Sequence, residues 1–339
     1  MRAGPPEVAG LLKGAEALLI TCHIMPDGDA LGSALALAQG LMAQGKRVEV
    51  VCQDPVPELY SFLPGSSLVL TPDQARGPHE VAVFLDCTDA SRVGEAALAL
   101  ANGARVRLNV DHHVTNSFFG DMNYVDPQRA AVGEQVYLVL QAMGVKVGKP
   151  TAMCLYVAIA TDTGQFCYSN TTVETHRLVA SLLEDGANPA QVSESLYESR
   201  SLPSLRLLSL ALGALRVSPC GQVAWVSLSR SMLKAAGARD DEAEGLINYP
   251  RSLEGVAVGI LLKEIDEDRV KVSFRSRDRV DVSRLAASLG GGGHPRAAGC
   301  LLEMGLQEAE DAVVRVALEA VREDRGLHQC SQAPGTDQP

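Results

Sequence analysis

The sequence predicts an α/β protein: an N-terminal domain built on a parallel sheet, then a smaller C-terminal α/β domain. Three observations predict it. Strand-like apolar runs alternate with helical patterns through the first half of the chain, the order of a parallel sheet with crossover helices. The run 81–86 (VAVFLD) is almost continuously apolar, as in a strand covered on both faces. After Pro219 the pattern changes to strands joined by a short polar, hairpin-type connection. At 339 residues, two domains are expected. We place a first domain over 1–188, a helical linker over 189–218, a second domain over 219–324 and a flexible tail over 325–339.

Residues 18–22 (LLITC) read as a buried strand. Pro26 and Gly28 mark a sharp loop, and Leu31, Leu35, Ala38, Leu41 and Met42 then recur at helical spacing. Asp29 stands where an N-cap belongs and Gly45 where a C-terminal glycine stop belongs. Residues 46–53 are a Val-rich second strand, followed by a loop region bracketed by 54–57 and 64–65. The third strand, 81–86, ends on Asp86, and the fourth, 106–110, runs into Asp111-His112-His113. Helical patterns cover 131–143 and 151–159, the second leading into Asp162-Thr163-Gly164. Residues 174–184 and 189–215 are also helical in pattern and carry no candidate chemistry. Strands are expected over 223–229, 255–265 and 269–275, with 266–268 turning the last two into a hairpin. A short helix over 282–289, the glycine run 290–293 before His294, a strand over 300–303 and a helix over 306–323 complete the chain.

Composition narrows the function. Hydrophobic residues make up 46% of the chain and aromatics 4%, so the cores must be Leu, Val and Ala. No run is long and apolar enough to span a bilayer, and 1–6 have no signal-peptide pattern. Eight cysteines are scattered singly, without a CxxC pair. That pattern fits reduced thiols in a cytoplasmic protein rather than a disulfide framework or a zinc site. A formal net charge of −11 disfavours tracking along duplex nucleic acid. It leaves room for a short anionic substrate held by local positive groups and metal ions.

Four separate segments end in carboxylates or imidazoles: His23 with Asp27 and Asp29, Asp86, Asp111 with His112 and His113, and Asp162. Singly, Asp29 could be a cap, Asp86 and Asp162 turn residues, and the paired histidines surface groups. Together they fall where a parallel sheet gathers strand ends on one edge, the place where such sheets bind ligands. Crowded His and Asp side chains require a cation. Mixed oxygen and nitrogen donors without thiolate suit Mn²⁺ or Mg²⁺, and the imidazoles favour Mn²⁺. The carboxylates suffice for two ions about 3.5–4 Å apart that share one of them, an arrangement suited to phosphoester hydrolysis. Cys22, Cys87 and Cys167 adjoin these motifs and read as small core residues rather than nucleophiles. A second constellation joins Arg275-Ser276-Arg277 to the glycine run, His294 and Arg296. Glycines let backbone N–H groups approach an anion, and Arg275 can grip a phosphate with two prongs.

The ordered set His23/Asp27/Asp29 in HxxxDxD spacing, Asp86, Asp111-His112-His113, Asp162-Thr163-Gly164 and a later GGGH resembles the DHH phosphoesterase superfamily with its DHH-associated C-terminal domain. The resemblance covers about residues 10–323. The compact length is most similar to the nanoRNase/pAp-phosphatase branch. This resemblance implies a metal-dependent hydrolase, with a catalytic first domain, a substrate-binding second domain and the active site in the cleft between them. His23 and Asp27 would hold one Mn²⁺, and Asp29, His112 and Asp162 another, with Asp86 bridging and Mg²⁺ as the alternative ion. Asp111 would orient the site, and His113 would face the scissile phosphate. Arg275, Ser276, Gly292, Gly293 and His294 would hold the far end of the substrate. The implied substrates are short single-stranded RNA or DNA oligonucleotides, cut to mononucleotides, and 3′-phosphoadenosine 5′-phosphate (pAp). No membrane partner is implied, and a homodimer is left open. Pro295-Arg296 after the GGGH is the one departure noted from the family pattern. Rival readings are a linear or cyclic dinucleotide phosphodiesterase (pApA or c-di-AMP type), an inorganic pyrophosphatase or polyphosphatase, a RecJ-like single-strand exonuclease, and a silent nucleotide-binding regulator.

Overall fold

The first domain is organised by strands whose alternate side chains enter two different cores. A computed structural model describes residues 1–243, 245–277 and 280–325. The tail expected over 325–339 thus lies, beyond Arg325, outside the described residues. Helix α1 (Pro5–Gly14) precedes β1 (Ala17–Cys22), in which every residue is buried. Leu18 and Ile20 of β1 join one core, and Leu19 joins the other. Helix α2 (Gly28–Ala43), β2 (Arg47–Val51), β3 (Val69–Leu70) and β4 (Val81–Leu85) follow. In β4, Val83 and Leu85 enter the first core, while Ala82 and Phe84 enter the second. Helix α3 (Glu95–Ala101) covers that second core with Ala97 and Ala101. Burial on both faces accounts for the unbroken apolar run that the sequence shows.

β5 (Val106–Asp111) and β6 (Met122–Val125) complete a six-stranded sheet of order β3-β2-β1-β4-β5-β6. All its pairings are parallel. The chain runs outward from β1 to β3 on one side, then returns to begin β4 on the other side of β1. The β1–β4 boundary is therefore the switch point, where the carboxyl ends of strands open a crevice. Helices α4 (Val132–Met143), α5 (Lys149–Asp162) and α6 (Val173–Glu184) pack with α1 and α2 in the larger core. The expected Gly45 stop is present: α2 ends at Ala43, and Gly45 takes a positive φ of 77°.

The helical stretch expected over 189–215 is broken. α7 (Pro189–Ser193) runs into a π-turn over Glu194–Glu198, and Ser199 is extended. Ser201 then caps a new helix, α8 (Leu202–Gly213), by accepting the Ser204 N–H, with proline in its first turn. The chain divides at this break into two compact units, Met1–Ser199 and a second beginning at Arg200.

The second unit contains β7 (Arg216–Val217), β8 (Val223–Leu228), α9 (Arg230–Ala236), α10 (Asn248–Ser252), β9 (Val258–Asp266), β10 (Arg269–Ser276), α11 (Val282–Ser288), β11 (Gly292–His294), β12 (Ala297–Leu302) and α12 (Leu306–Arg325). Its sheet has the order β11-β12-β10-β9-β8-β7. Only β8–β9 is parallel among its described pairings. Val270, Val272 and Phe274 of β10 alternate into a core closed by Val282 and Leu285 of α11 and Val313, Ala317 and Val321 of α12. The last two residues of the glycine run, Gly292 and Gly293, are not an open loop but, with His294, the edge strand of a hairpin. A Cβ at Gly291 would lie 2.1 Å from the Gly299 carbonyl oxygen, so this contact admits only glycine. The strand expected over 300–303 begins at Ala297, because β11 pairs it there. No helix among the described residues is long and apolar enough to cross a membrane.

Close helix packing sets the spacing of the first unit's functional segments. A Cβ on Gly32 of α2 would sit 2.5 Å from the Cys154 carbonyl oxygen of α5, and one on Gly133 of α4 would sit 2.7 Å from Ala158 Cβ. The three helices meet through missing side chains. Gly32→Ala forces α2 and α5 apart and should cost about 1–3 kcal/mol, read as a lower urea midpoint. An unchanged midpoint would show that the contact is not tight.

Candidate metal centre

The centre starts from β1. His23 follows the strand and points Nε2 inward, because its Nδ1 lies 2.8 Å from the Ile24 carbonyl oxygen. That bond places the proton on Nδ1 and leaves Nε2 the ligand-type atom. Asp27 caps α2, accepting the Ala30 N–H at 3.0 Å. This corrects the expectation for Asp29, which lies inside the first turn of α2 and caps a different helix. It accepts the N–H groups of Val132 (2.7 Å) and Gly133 (3.0 Å) at the start of α4, and the Ser33 hydroxyl at 2.9 Å. Backbone donors and the positive end of α4 together hold a fully buried carboxylate.

Asp86 follows β4 with a positive φ of 57°. For an aspartate this is a strained backbone held by its surroundings. Its N–H donates to the Val110 carbonyl at 3.1 Å, which ties it to the adjacent strand. Its carboxylate lies 3.5 Å from His23 Nε2, 3.7 Å from His112 Nε2 and 3.5 Å from His113 Nδ1. His112 mirrors His23: its Nδ1 meets the Arg129 carbonyl at 3.1 Å, and its Nε2 faces Asp29 at 3.9 Å and Asp162 at 3.6 Å. Asp162 is the last residue of α5. Asp111, at the end of β5, is wholly buried and bonds His113 Nδ1 at 2.7 Å.

These contacts fit a cation. The 3.5–3.9 Å separations around Asp86 and His112 are too long for strong hydrogen bonds. They are the spacing of donors that surround a shared ion. Asp86 Oδ1 is buried without a hydrogen-bond partner among the described residues. His23, Asp27 and Asp86 form one group whose donor atoms lie within 4.8 Å of one another. Asp29, Asp86 and His112 form a second. Asp86 belongs to both.

Charge crowding shifts the titrations. Burial lowers the His23 imidazole, but Asp27 and Asp86 overcome it and carry the group up to about 11. Burial opposes His112 in the same way, and Asp162, Asp86 and Asp29 raise it to about 10. His113 is also raised, chiefly by Asp111, against burial. Burial lifts Asp162 to about 6 and pushes Asp29 well above its ordinary value. Asp86 goes the other way: burial would raise it, but the three imidazoles hold it far below the usual carboxylate range. Without a cation, protons on the imidazoles neutralise the cluster. Cys22 and Cys87 are buried thiols kept protonated: the hydrogen bond to Cys52, with burial, raises Cys22, and burial raises Cys87, whereas Cys167, expected in the core, is exposed.

Residues 17–159 match the family model described as the DHH family, N-terminal domain, and 222–323 match the DHHA1 domain. The chain is 37% identical over 323 residues to the bifunctional oligoribonuclease and PAP phosphatase NrnA of Thermus thermophilus, covering 94% of this chain and 93% of that one. The chain belongs to the DHH family. It is also 26% identical over 293 residues to the NrnA protein of Bacillus subtilis, covering 84% of this chain and 88% of that one. The crystal structure of an exopolyphosphatase-related protein from Bacteroides fragilis matches it with a TM-score of 0.85 at 27% identity, covering 94% of this chain and 95% of that one.

The DHH triplet is thus Asp111-His112-His113, and the first unit brings it together with His23, Asp27, Asp29, Asp86 and Asp162. The sequence-predicted substrate residues lie in the second unit. Arg275 is half-buried near the end of β10, with its Nη1 donating to the Phe274 carbonyl at 3.0 Å. Ser276 is buried, and its hydroxyl donates to the Pro295 carbonyl at 3.2 Å, inside the unit. Gly292, Gly293 and His294 form β11. Sequence reasoning missed Asn116, which donates to Asp111 Oδ2 (2.6 Å), Asn109 Oδ1 (2.8 Å) and the Cys87 carbonyl (3.0 Å). It also missed Ser33, one helical turn beyond Asp29, where an i, i+4 scan finds it.

The raised imidazoles set the pH response of the metal-free fold. Above their ordinary value of 6.5, His23 and His112 stabilise it only while protonated. That contribution is complete below about pH 6.5 and is lost as pH rises through about 10 to 11. Chelator-treated protein should therefore melt at progressively lower temperature from pH 7 to 10, and replacing both histidines by glutamine should flatten the slope. A melting temperature that rises over this range would contradict the charge arrangement.

Proposed function

We propose that this chain is a metal-dependent phosphoesterase that cuts very short oligonucleotides to mononucleotides and removes the 3′-phosphate of pAp. Membership of the DHH family and the similarity to proteins named NrnA make it a hydrolase of phosphodiester and phosphate ester bonds. The observation that carries the finer reading is Asp86: a buried carboxylate with an orphaned oxygen, shared between two groups of oxygen and nitrogen donors. His23 and Asp27 would hold one ion and Asp29, His112 and Asp162 a second, with Asp86 common to both donor groups. The donor set suits Mn²⁺, with Mg²⁺ as the alternative. When bound, such a pair supplies an activated water and neutralises charge on the phosphoryl oxygens.

The protein's own groups do the rest. The Val132 and Gly133 N–H groups and Ser33 fix the Asp29 carboxylate, so its position does not depend on the ion. The Ile24 and Arg129 carbonyls lock the tautomers of His23 and His112. Asp111 fixes His113 through Nδ1 and keeps it protonated, so His113 holds a proton for the departing oxygen. Asn116 in turn fixes Asp111. In the second unit, Arg275, His294 and the glycines of β11 contribute nucleotide contacts, while Ser276 supports the turn between β11 and β12.

The test is product analysis with Mn²⁺ on labelled di- to pentanucleotides, pAp, pApA, a long single strand and tripolyphosphate. We expect mononucleotides from the short oligomers, adenosine 5′-monophosphate (AMP) from pAp, and slow turnover of the long strand. Equal or faster cutting of the long strand would overturn the length preference, and turnover of tripolyphosphate alone would overturn the nucleotide reading. Outer partners of metal ligands are worth roughly 10–100-fold. Asp86→Ala removes a shared ligand, so its activity should fall by more than about 100-fold. Near-wild-type activity in Asp86→Ala would remove the bridging role.

A further inference from the structure

A pocket of about 310 Å³ opens beside His113, at the low end of the ~300–1,000 Å³ usual for small-molecule sites. Arg2, Val114, Phe118, Val125 and Pro127 line it with His113, and none of its lining groups is acidic. Phe118 leaves 42% of its surface exposed, and the Arg2 guanidinium lies 5.0 Å from its ring centre. An aromatic ring and a guanidinium plane are the two surfaces on which unpaired bases stack. We propose that this pocket is a nucleobase-stacking subsite serving the nucleotide at the scissile phosphate. The inference deepens the proposed activity and rests on it.

The pocket is built, not incidental. Phe118 holds a positive φ of 55°, strained for an aromatic residue. Its N–H donates to Asn116 Oδ1 at 2.7 Å. Asn116 Nδ2 donates to Asp111 Oδ2 at 2.6 Å, and Asp111 Oδ1 bonds His113 Nδ1 at 2.7 Å. One short chain of hydrogen bonds thus positions both the ring and the imidazole that faces the phosphate. Arg2 is held by backbone bonds of its two chain neighbours. Asn123 donates its N–H to the Met1 carbonyl at 2.8 Å and accepts the Ala3 N–H at 2.9 Å.

The same contacts say how selective the subsite is. Asn123 is the lining amide that could read a base edge, but both its side-chain atoms are taken by Gly120, at 3.0 and 2.6 Å. Apart from Arg2 and His113, the remaining lining side chains are apolar. Stacking without edge readout tolerates any base, as a site degrading mixed fragments requires.

The experiment is calorimetric titration of the full chain with AMP, cytidine 5′-monophosphate and ribose 5-phosphate. The wild type should bind both nucleotides more tightly than ribose 5-phosphate. Phe118→Ala should weaken AMP binding by about 5- to 150-fold and erase its advantage over ribose 5-phosphate. Phe118→Trp should restore that advantage, which a merely structural role would not do. Arg2→Ala should weaken both nucleotides more than the sugar phosphate. If Phe118→Ala fails to fold, Phe118→Leu, apolar but without a ring, should show the same loss. Wild-type AMP affinity in a folded ring-less variant, or equal losses for AMP and ribose 5-phosphate, would overturn the proposal. Trinucleotide hydrolysis by the same wild-type preparation separates the two readings. Base-dependent binding without hydrolysis sinks the activity alone, and hydrolysis with Phe118-independent binding sinks the pocket alone.

Discussion

Five aspartates and three histidines at one rim of a sheet would repel or protonate unless something fixed them there, and the first unit is arranged around that constraint. Three of these carboxylates are fixed by more than the charge of a neighbouring imidazole. Asp29 sits on the amides that open α4, Asp111 on Asn116 and His113, and Asp86 on a backbone strained into the left-handed region. Such anchoring makes the site rigid before any ion arrives. The remaining electrostatic cost is visible in the titrations: imidazoles forced upward, Asp29 and Asp162 forced upward, Asp86 forced down. A divalent cation would relieve all of these at once by replacing the protons.

The fold supplies the convergence by two separate means. Strand order brings His23, Asp86 and Asp111 to neighbouring strand ends, because β1, β4 and β5 are adjacent and parallel. Asp162 arrives differently, at the end of a helix. Its approach depends on α5 lying against α2 at a distance that only Gly32 permits. The glycine in the middle of a helix, ordinarily unfavourable, is tolerated because the close contact brings Asp162 to the rim.

This division explains what could be read in the sequence. Strand-end residues were legible because a continuous apolar run announces a buried parallel strand, and its last residue then has a known address. Asp162 was legible through the company it keeps in the chain, Thr163 and Gly164, rather than through any strand. The actual work of Asp29 was hidden, since capping a helix a hundred residues away leaves no local pattern. Asn116 was hidden for the same reason: an asparagine in a loop reads as a turn residue until its partners are known. The glycine run before His294 misled in another way. Missing side chains signal freedom in a loop and close contact in a sheet equally well, and only the pairing of Gly292 and Gly293 with Gly299 and Ala298 decides between them.

The acidic surface bears on the proposed length preference. A chain of net charge −11 repels polyanions in general. Screening confines that repulsion to about 8 Å at physiological salt, so a substrate feels mainly the groups it lies against. A di- or trinucleotide bound as proposed near Arg2 and His113 would meet positive groups there. Each further nucleotide of a long strand adds a phosphate to be placed against a chain in which acidic residues outnumber basic ones, 41 to 30. Attraction at the site is fixed, whereas repulsion grows with strand length. On this reasoning the selection for short substrates requires no measuring device beyond the charge balance itself, and it should weaken as salt is added.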